Sequence, residues 1–580
     1  MKKKKLKQVP ISPKHITIGI GGLVLLILLI IGISNLVSTL TSNQERMDLN
    51  SYYKLSKDNE VAIILNDKVL EAHASIIDEQ IYIDYQTVHD HINPRFYWDA
   101  NENILLYTSA ENVYSAHAEA TSYFIGKSSK DFGNVIVKST ADSALIHIDY
   151  LKLFSNFIYD QYDTPSRIVM RNDWKDIQVT LAKKNTLLRY EGDKSSAILS
   201  DIKKGTLLNV LEQDKTWTKV CTSDGLVGFI ATKHTKDTHT QTLSYNFEED
   251  EFFHILKNKP VNLLWHNVEG SNDNSEISQV LTTTKGVNVV APSWFELKDN
   301  KGNISNLASR DYVEYCHNHN VEVWGQISNN RENVNTSRVL THTSSRQNLV
   351  NQLVAAALQY NFDGINIDFT DLDESKIGDG YIQFIRELSI KCENNDVSLS
   401  VNIPSATATS DFHHYSEQQL FVDYIIIKAY GEHTGQETGE GSYASLNWVE
   451  ELVSSIKSKG IPSEQLILGI PLTCKLWTLS PTSDSDADTQ YLISSETKGI
   501  NSSKRWMDSN IDEPVWLEDC GQWYGETTIQ GTIYKLWVED AASIEKKLLL
   551  MQEKELAGAA FSDYDWSVEE IWNTIIKYVN

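Results

Sequence analysis

Apolar positions along the chain fall into runs whose period changes several times. The first run is "ITIGIGGLVLLILLIIGISNLV", residues 16–37, about 22 positions without a charge. At ~1.5 Å per residue such a helix is long enough to cross a bilayer. Residues 39–58, "TLTSNQERMDLNSYYKLSKD", are polar and read as a linker. Short alternating runs follow: "EVAIILND", "QIYIDYQTVHDHI" and "NILLYTS", with the turn material "NPRFYWDANEN" between the last two. They predict strands with one helical stretch, so 59–172 reads as a small α+β domain. Over 173–235 the runs become a series of short, half-buried strands broken by Lys-Gly and Asp-Gly turns, and 236–252 is a polar, acidic linker.

From 253 to 580 the pattern changes again. Eight short apolar segments, "VNLLWHNV", "VNVVAPSWF", "VEVWGQISN", "FDGINIDF", "VSLSVNIP", "VDYIIIKAY", "QLILGIPL" and "ELAGAAFSD", are mostly separated by amphipathic stretches such as "SRQNLVNQLVAAALQYN" and "YIQFIRELSIKCENN". Eight strands with crossover helices predict an α/β domain of the (β/α)8 TIM barrel type. Its ligand site belongs at the strands' C-terminal ends, where Trp265, Trp294, Thr370 and Tyr430 are expected to converge.

Charge sharpens the picture at both ends of the scale. "MKKKKLK" and Lys14 precede the apolar run, and no lysine follows it closely. The positive-inside rule then keeps residues 1–15 in the cytoplasm, makes 16–38 a transmembrane signal anchor, and places everything after it outside the cell membrane. The run is long for a cleaved signal peptide, and no A-x-A-like site follows it. The net charge of -26 argues against nucleic acid as a partner, because phosphate binding needs a basic face. Five scattered cysteines without a CxxC pair point to free thiols rather than to zinc or a disulfide framework. Nothing in the sequence implies a metal or an organic cofactor.

Three resemblances refine the domains. "EVAIILNDKVLEAHASIIDEQIYIDYQTVHDHI" resembles the N-terminal module of copper amine oxidase-type proteins, which implies an envelope adaptor rather than copper chemistry. "KKGTLLNVLEQDKTWTKVCTSDGLVGFI" resembles the bacterial SH3 domain, a small all-β barrel, which implies a contact with cell-wall peptides or a spacer. The eight strands of 253–580 resemble family 18 glycoside hydrolases, in the bacterial branch with spore-cortex and cell-wall N-acetylglucosaminidases.

In that family the fourth strand carries D-G-x-[DN]-[IL]-D-x-E. Here "DGINIDFT" gives Asp363, Asn366 and Asp368, but Thr370 where the resemblance places the catalytic glutamate. The resemblance implies substrate-assisted hydrolysis: the glutamate protonates the leaving oxygen while the sugar's own acetamide attacks, steadied by an aspartate and a tyrosine. Asp368 and Tyr430 match those last two roles. A threonine hydroxyl ionises far above any working pH and cannot replace the acid. The sixth strand departs too. "KAYG" puts Lys428 and Gly431 where the family has methionine and aspartate, and Lys428 is expected to point inward and pair with Asp368 or Asp363. Asp363, Asp368 and Tyr430 are thus remnants, and no residue is assigned as the acid. Asp371, Asp373, Glu374 and Glu432 are the candidates for a relocated one. Trp294 and Trp477 are expected to form a glycan platform with Asp368, Tyr430 and Glu432. Phe561 stands where the family has tryptophan at the floor of the site.

The sequence therefore predicts a membrane-anchored wall protein that binds N-acetylglucosamine-containing glycan, peptidoglycan or chitin-like, through an impaired barrel. The alternative is an active N-acetylglucosaminidase with a relocated acid.

Overall fold

The computed structural model describes residues 42–141, 143–482, 491–562 and 564–579. They divide into two compact units. The first holds the described residues up to Pro94, Glu119–Thr121 and Phe132–Glu249; the second holds Arg95–Ala118, Ser122–Asp131 and the described residues from Asp250 onward.

In the first unit, β-structure dominates. One seven-stranded sheet runs in the order Ile158–Asp163, Ser166–Arg171, Glu60–Leu65, Lys68–Ile77, Gln80–Asp84, Ala144–His147, Val137–Ser139. A second seven-stranded sheet is built from strands between Ile177 and Gln241. Ala62 and Ile64 of the first sheet share one core with Leu188, Leu208, Val220 and Ile230 of the second. The polar stretch after residue 42 is held by this unit: Met47 N donates to Ile198 O at 2.9 Å, and Tyr53 is 1% exposed. The expected α+β character of this region is corrected here. Its helices are Leu49–Tyr52, Tyr85–His91 and Ile148–Leu151, none longer than seven residues. Asp84 caps the longest by accepting from Thr87 N, and Asn93-Pro94 stops it, since the residue before a proline is pushed out of the helical region.

The transmembrane helix expected over 16–38 lies outside the described residues. Among those, no helix is long and apolar enough to cross a membrane; the longest, Thr343–Tyr360, is amphipathic and carries Arg346, Gln347 and Asn348. The fold is accordingly corrected to one whose described residues hold no membrane-spanning helix, and these residues give the single-pass cell-membrane localisation drawn from residues 16–38 no support.

In the second unit, eight parallel strands close a barrel: β1 Val261–His266, β2 Val289–Pro292, β3 Glu322–Ser328, β4 Gly364–Asp368, β5 Ser398–Pro404, β6 Tyr424–Lys428, β7 Leu466–Pro471 and β8 Gly558–Ser562. Each pairs with the next, and β8 pairs with β1. Alternation sorts their side chains into two layers. Val261, Leu263, Trp265, Trp324, Ile426 and Ala560 fill the interior. Leu264, Ile365, Ile367, Ile425 and Phe561 belong to the core shared with the helices. Gly364 is required by the interior packing, because a Cβ there would lie 2.6 Å from the Trp324 ring.

Two additions modify the barrel. Between β7 and β8 a five-stranded antiparallel sheet is inserted, Thr473–Pro481 to Thr532–Val538, with helix Ile500–Asn510 packed on one face through Met507. The other is a five-stranded meander, Phe96–Asp99 to Ser128–Asp131, from far upstream in the chain. It docks on the barrel helices. Asp99 accepts both the N–H and the hydroxyl of Thr343 at 2.6 Å, capping helix Thr343–Tyr360 from 244 residues away.

Asp423, just before β6, ties the barrel's lower rim. Its carboxylate accepts from Leu399 N at 2.7 Å and Ile255 N at 2.6 Å. Burial pushes this carboxyl up to about 7, against the pull of those two bonds. A carboxyl raised on folding favours the folded state at low pH, and that contribution is lost as pH rises through the folded value. Asp423→Asn is therefore expected to flatten the loss of stability between about pH 4, the ordinary carboxyl value, and about pH 7, read from denaturant unfolding at each pH. Parallel profiles for the two proteins would mean that Asp423 ionises as it does in the unfolded chain.

Candidate functional site

The polar side chains of β3 to β6 form stacked layers inside the barrel. In the lower layer Asn366 and Asn402 exchange amide hydrogen bonds at 2.9 Å, and Asn366 Nδ2 also donates to Ser400 Oγ at 2.8 Å. Trp265 Nε1 donates to Asn366 Oδ1 at 3.2 Å. These amides are buried and satisfied, so they form a rigid floor.

Above it lies an ion pair. Lys428 Nζ is 2.5 Å from Asp368 Oδ1, while Gln326 Nε2 donates to Asp368 Oδ2 at 2.9 Å. Both charged side chains are largely covered, with exposures of 18% and 15%, and the ammonium lies 5.6 Å from the centre of the Trp265 ring. Both oxygens of Asp368 are therefore engaged, one by a cation. Lys428 meets Asp368 and not Asp363. The latter sits at the opposite, N-terminal end of β4, accepting from Val323 N at 2.8 Å and lying 2.8 Å from His317 Nε2. Asp363 braces the strand and takes no part in the mouth of the barrel.

Thr370 follows β4 at the C-terminal rim. Its backbone is clamped by Asn329, which accepts from Thr370 N and donates to Thr370 O, both at 2.9 Å. Its hydroxyl donates to Asn330 Oδ1 at 3.1 Å. Beside it opens a polar groove of about 710 Å³, lined in part by Asn329, Asn330, Asn335, Thr336 and Asp371. Three of the candidate acids, Asp373, Glu374 and Glu432, are occupied. Asp373 is 2.5 Å from Lys376 Nζ, and Glu374 accepts from Ser410 Oγ at 3.0 Å. Glu432 accepts from Ser445 N and Ser445 Oγ at 2.8 and 2.9 Å, ahead of helix Leu446–Lys457.

Tyr430 comes two residues after Lys428. Its carbonyl accepts from Ser405 Oγ at 2.6 Å, and its ring lies 5.8 Å from that of Tyr443. The tryptophan platform is corrected. Trp294 is 1% exposed and Trp477 is 0% exposed. Trp294 donates to Asn274 Oδ1 at 2.8 Å and packs edge-on against Tyr312; Trp477 donates to Gly441 O at 2.7 Å. Neither offers a ring face to a sugar. Phe561 likewise points out of the barrel, against Trp572, so Ala560 is its interior neighbour. Trp294→Ala is expected to cost ~3–5 kcal/mol of stability in urea unfolding, with no selective loss of glycan retention while the chain stays folded. Selective loss in a stable variant would return Trp294 to the site.

Gln326, Asn402, Tyr443 and Lys475 were not singled out by the sequence. Gln326 shares strand parity with Trp324, which was the available signal. Tyr443 lies in a loop, and Lys475 belongs to the inserted sheet, where strand parity within the barrel says nothing.

A closed eight-stranded barrel with its polar layers at the C-terminal mouth is the setting for the comparisons with known proteins. Residues 265–567 match the sequence model of glycosyl hydrolases family 18. That span is more than half of the chain, and the chain belongs to this family. It is 22% identical over 304 residues to the uncharacterized glycosylase YvbX of Bacillus subtilis (strain 168), covering 50% of this chain and 84% of that protein. It is also 22% identical over 246 residues to the cortical fragment-lytic enzyme of the same organism, covering 40% of this chain and 54% of the relative. The solved Bacillus cereus spore cortex-lytic enzyme SleL aligns with 59% of this chain and 77% of its own, at 15% identity and a TM-score of 0.47.

Proposed function

We propose that this chain binds N-acetylglucosamine-containing glycan, of the peptidoglycan or chitin-like class, and that its barrel hydrolyses that glycan poorly or not at all. The observation that carries the reading is the 2.5 Å contact of Lys428 with Asp368. In a substrate-assisted mechanism a free carboxylate here would steady the acetamide nitrogen of the sugar. With a lysine in the M-x-Y-D position, the carboxylate is neutralised before substrate arrives. Thr370 supplies a hydroxyl held by Asn330 where general acid catalysis needs a group titrating near the working pH. Glu432, one of the candidates for a relocated acid, is committed to Ser445. The half-buried Tyr430 and Tyr443 and the polar groove beside Thr370 are the surfaces this reading assigns to sugar contacts. On this reading the seven-stranded domain over 177–241 acts as a bacterial SH3-like module that adds a weak wall-peptide contact, reinforced by tethering. The segment 59–172 serves as an adaptor and brings no copper chemistry.

The test incubates the full-length protein with purified peptidoglycan and with N-acetylglucosamine oligomers, scoring bound protein and released reducing ends together. Retention without release is the expected result. Release by the unaltered protein would overturn the impairment and direct attention to Asp371.

A further inference from the structure

We infer that the barrel mouth favours a glycan bearing a free carboxylate, as on the lactyl ether of muramic acid freed of its peptide, and that Lys475 is the cation that receives it. The inference rests on the glycan-binding reading above and names the sugar chemistry of that same site.

Lys475 lies just beyond β7, on the inserted strand Thr473–Pro481. Its ammonium donates to Thr497 Oγ1 at 2.8 Å and sits 5.2 Å from the centre of the Tyr443 ring. Tyr443 is fastened to the end of the sixth-strand segment, because its carbonyl accepts from Gly431 N at 2.8 Å and Glu432 N at 3.1 Å. Its ring is also the neighbour of Tyr430. Lys475 thus belongs to one continuous wall with Tyr443, Tyr430 and the strand that carries Lys428.

Four lysines serve this wall and the inserted sheet, and three are compensated, Lys498 by Glu496 at 2.7 Å. Lys428 is paired with Asp368. Lys535, whose strand pairs with Lys475's strand through Trp477, lies 3.0 Å from Glu440 and 3.6 Å from Glu526. Lys475 has a hydroxyl and a ring but no carboxylate at ion-pair distance among the described residues. Burial pulls its ammonium below the ordinary lysine value. In a chain of net charge -26, a half-covered cation beside the site and without a carboxylate is a ready receptor for an anionic substituent. A neutral chitin-like chain brings no such group, whereas an acidic sugar does. The tyrosine face holds the ammonium in place, so little ordering is left for the ligand to impose.

The test compares three probes on the full-length protein: N-acetylglucosamine tetramer, peptidoglycan glycan strands stripped of peptide, and the same strands with their carboxylates amidated. The native protein is expected to bind the acidic strands about tenfold more tightly than the amidated ones, the size of one charge-assisted hydrogen bond. That preference should shrink with added salt. Lys475→Gln is expected to remove it, with the loss of affinity falling mainly on the acidic strands rather than on the tetramer, and Lys475→Arg to restore it. Equal binding of acidic and amidated strands, or a preference that survives Lys475→Gln, overturns the inference and leaves the glycan-binding reading intact. Failure to bind any of the three overturns that reading, and this inference with it.

Discussion

Glu387→Leu is expected to destabilise the barrel unit by about 3–5 kcal/mol, the cost of stranding a buried charge. Glu387 is the partner of Arg346, at 2.9 Å, and the two side chains are 5% and 0% exposed. Arg346 spends its other donors on Leu340 O at 2.7 Å and Thr343 Oγ1 at 3.2 Å, and its guanidinium lies 4.9 Å from the Tyr97 ring. Truncating the carboxylate leaves the guanidinium out of water with carbonyl and hydroxyl contacts only. The double variant Arg346→Met, Glu387→Leu should recover much of the loss, because both the charge and its desolvation disappear together. Urea unfolding of the two single variants and the double one checks this. A loss under about 1 kcal/mol for Glu387→Leu, the range of exposed pairs, would show that water reaches the pair. The same experiment probes the meander, since Tyr97 and Asp99 come from it. Asp99→Ala should cost ~1–2 kcal/mol through the lost cap, in a barrel helix whose own N-cap residue, His342, makes no capping side-chain bond.

The second large effect concerns chemistry. Thr370→Glu combined with Lys428→Met is expected to raise release of reducing ends from N-acetylglucosamine oligomers by at least ~10²-fold over the unaltered protein, within the 10²–10⁴ range of a positioned general acid. Each change alone should achieve little. Thr370→Glu supplies a proton donor but leaves Asp368 bound to Lys428. Lys428→Met frees that carboxylate, still held by Gln326, but provides no acid. Non-additivity of this kind is normal for residues that act as a unit. Release counted from the same oligomers with the four proteins decides it. Equal rates for Thr370→Glu and the double variant would mean that the lysine is no obstacle. No gain in the double variant would place the defect elsewhere, in the loops over the Thr370 groove.

Strand patterning made the barrel legible. Each barrel strand is short, apolar and bounded by polar turns, and closure follows from eight of them with crossover helices. Asp368, Lys428 and Thr370 were also visible, because alternation along β4 and β6 dictates which side chains face inward. Trp294 and Trp477 were misjudged for a physical reason: an indole is equally suited to a sugar and to a core, and local sequence does not say which surface covers it. Phe561 was placed in the site by motif position, yet strand parity turns it outward.

By itself, then, the sequence determined the period of its strands, the identity of the inward residues and a threonine at position 370, where the family resemblance expects a carboxylate. The tertiary structure alone decided that Lys428 selects Asp368 over Asp363, which lies at the other end of the strand. It also decided that residues 96–131 finish a barrel helix 244 positions away, and that Lys475 stands beside Tyr443. These are contacts between segments distant along the chain. Local pattern fixes which face a side chain takes; only packing of one element against another fixes its partner.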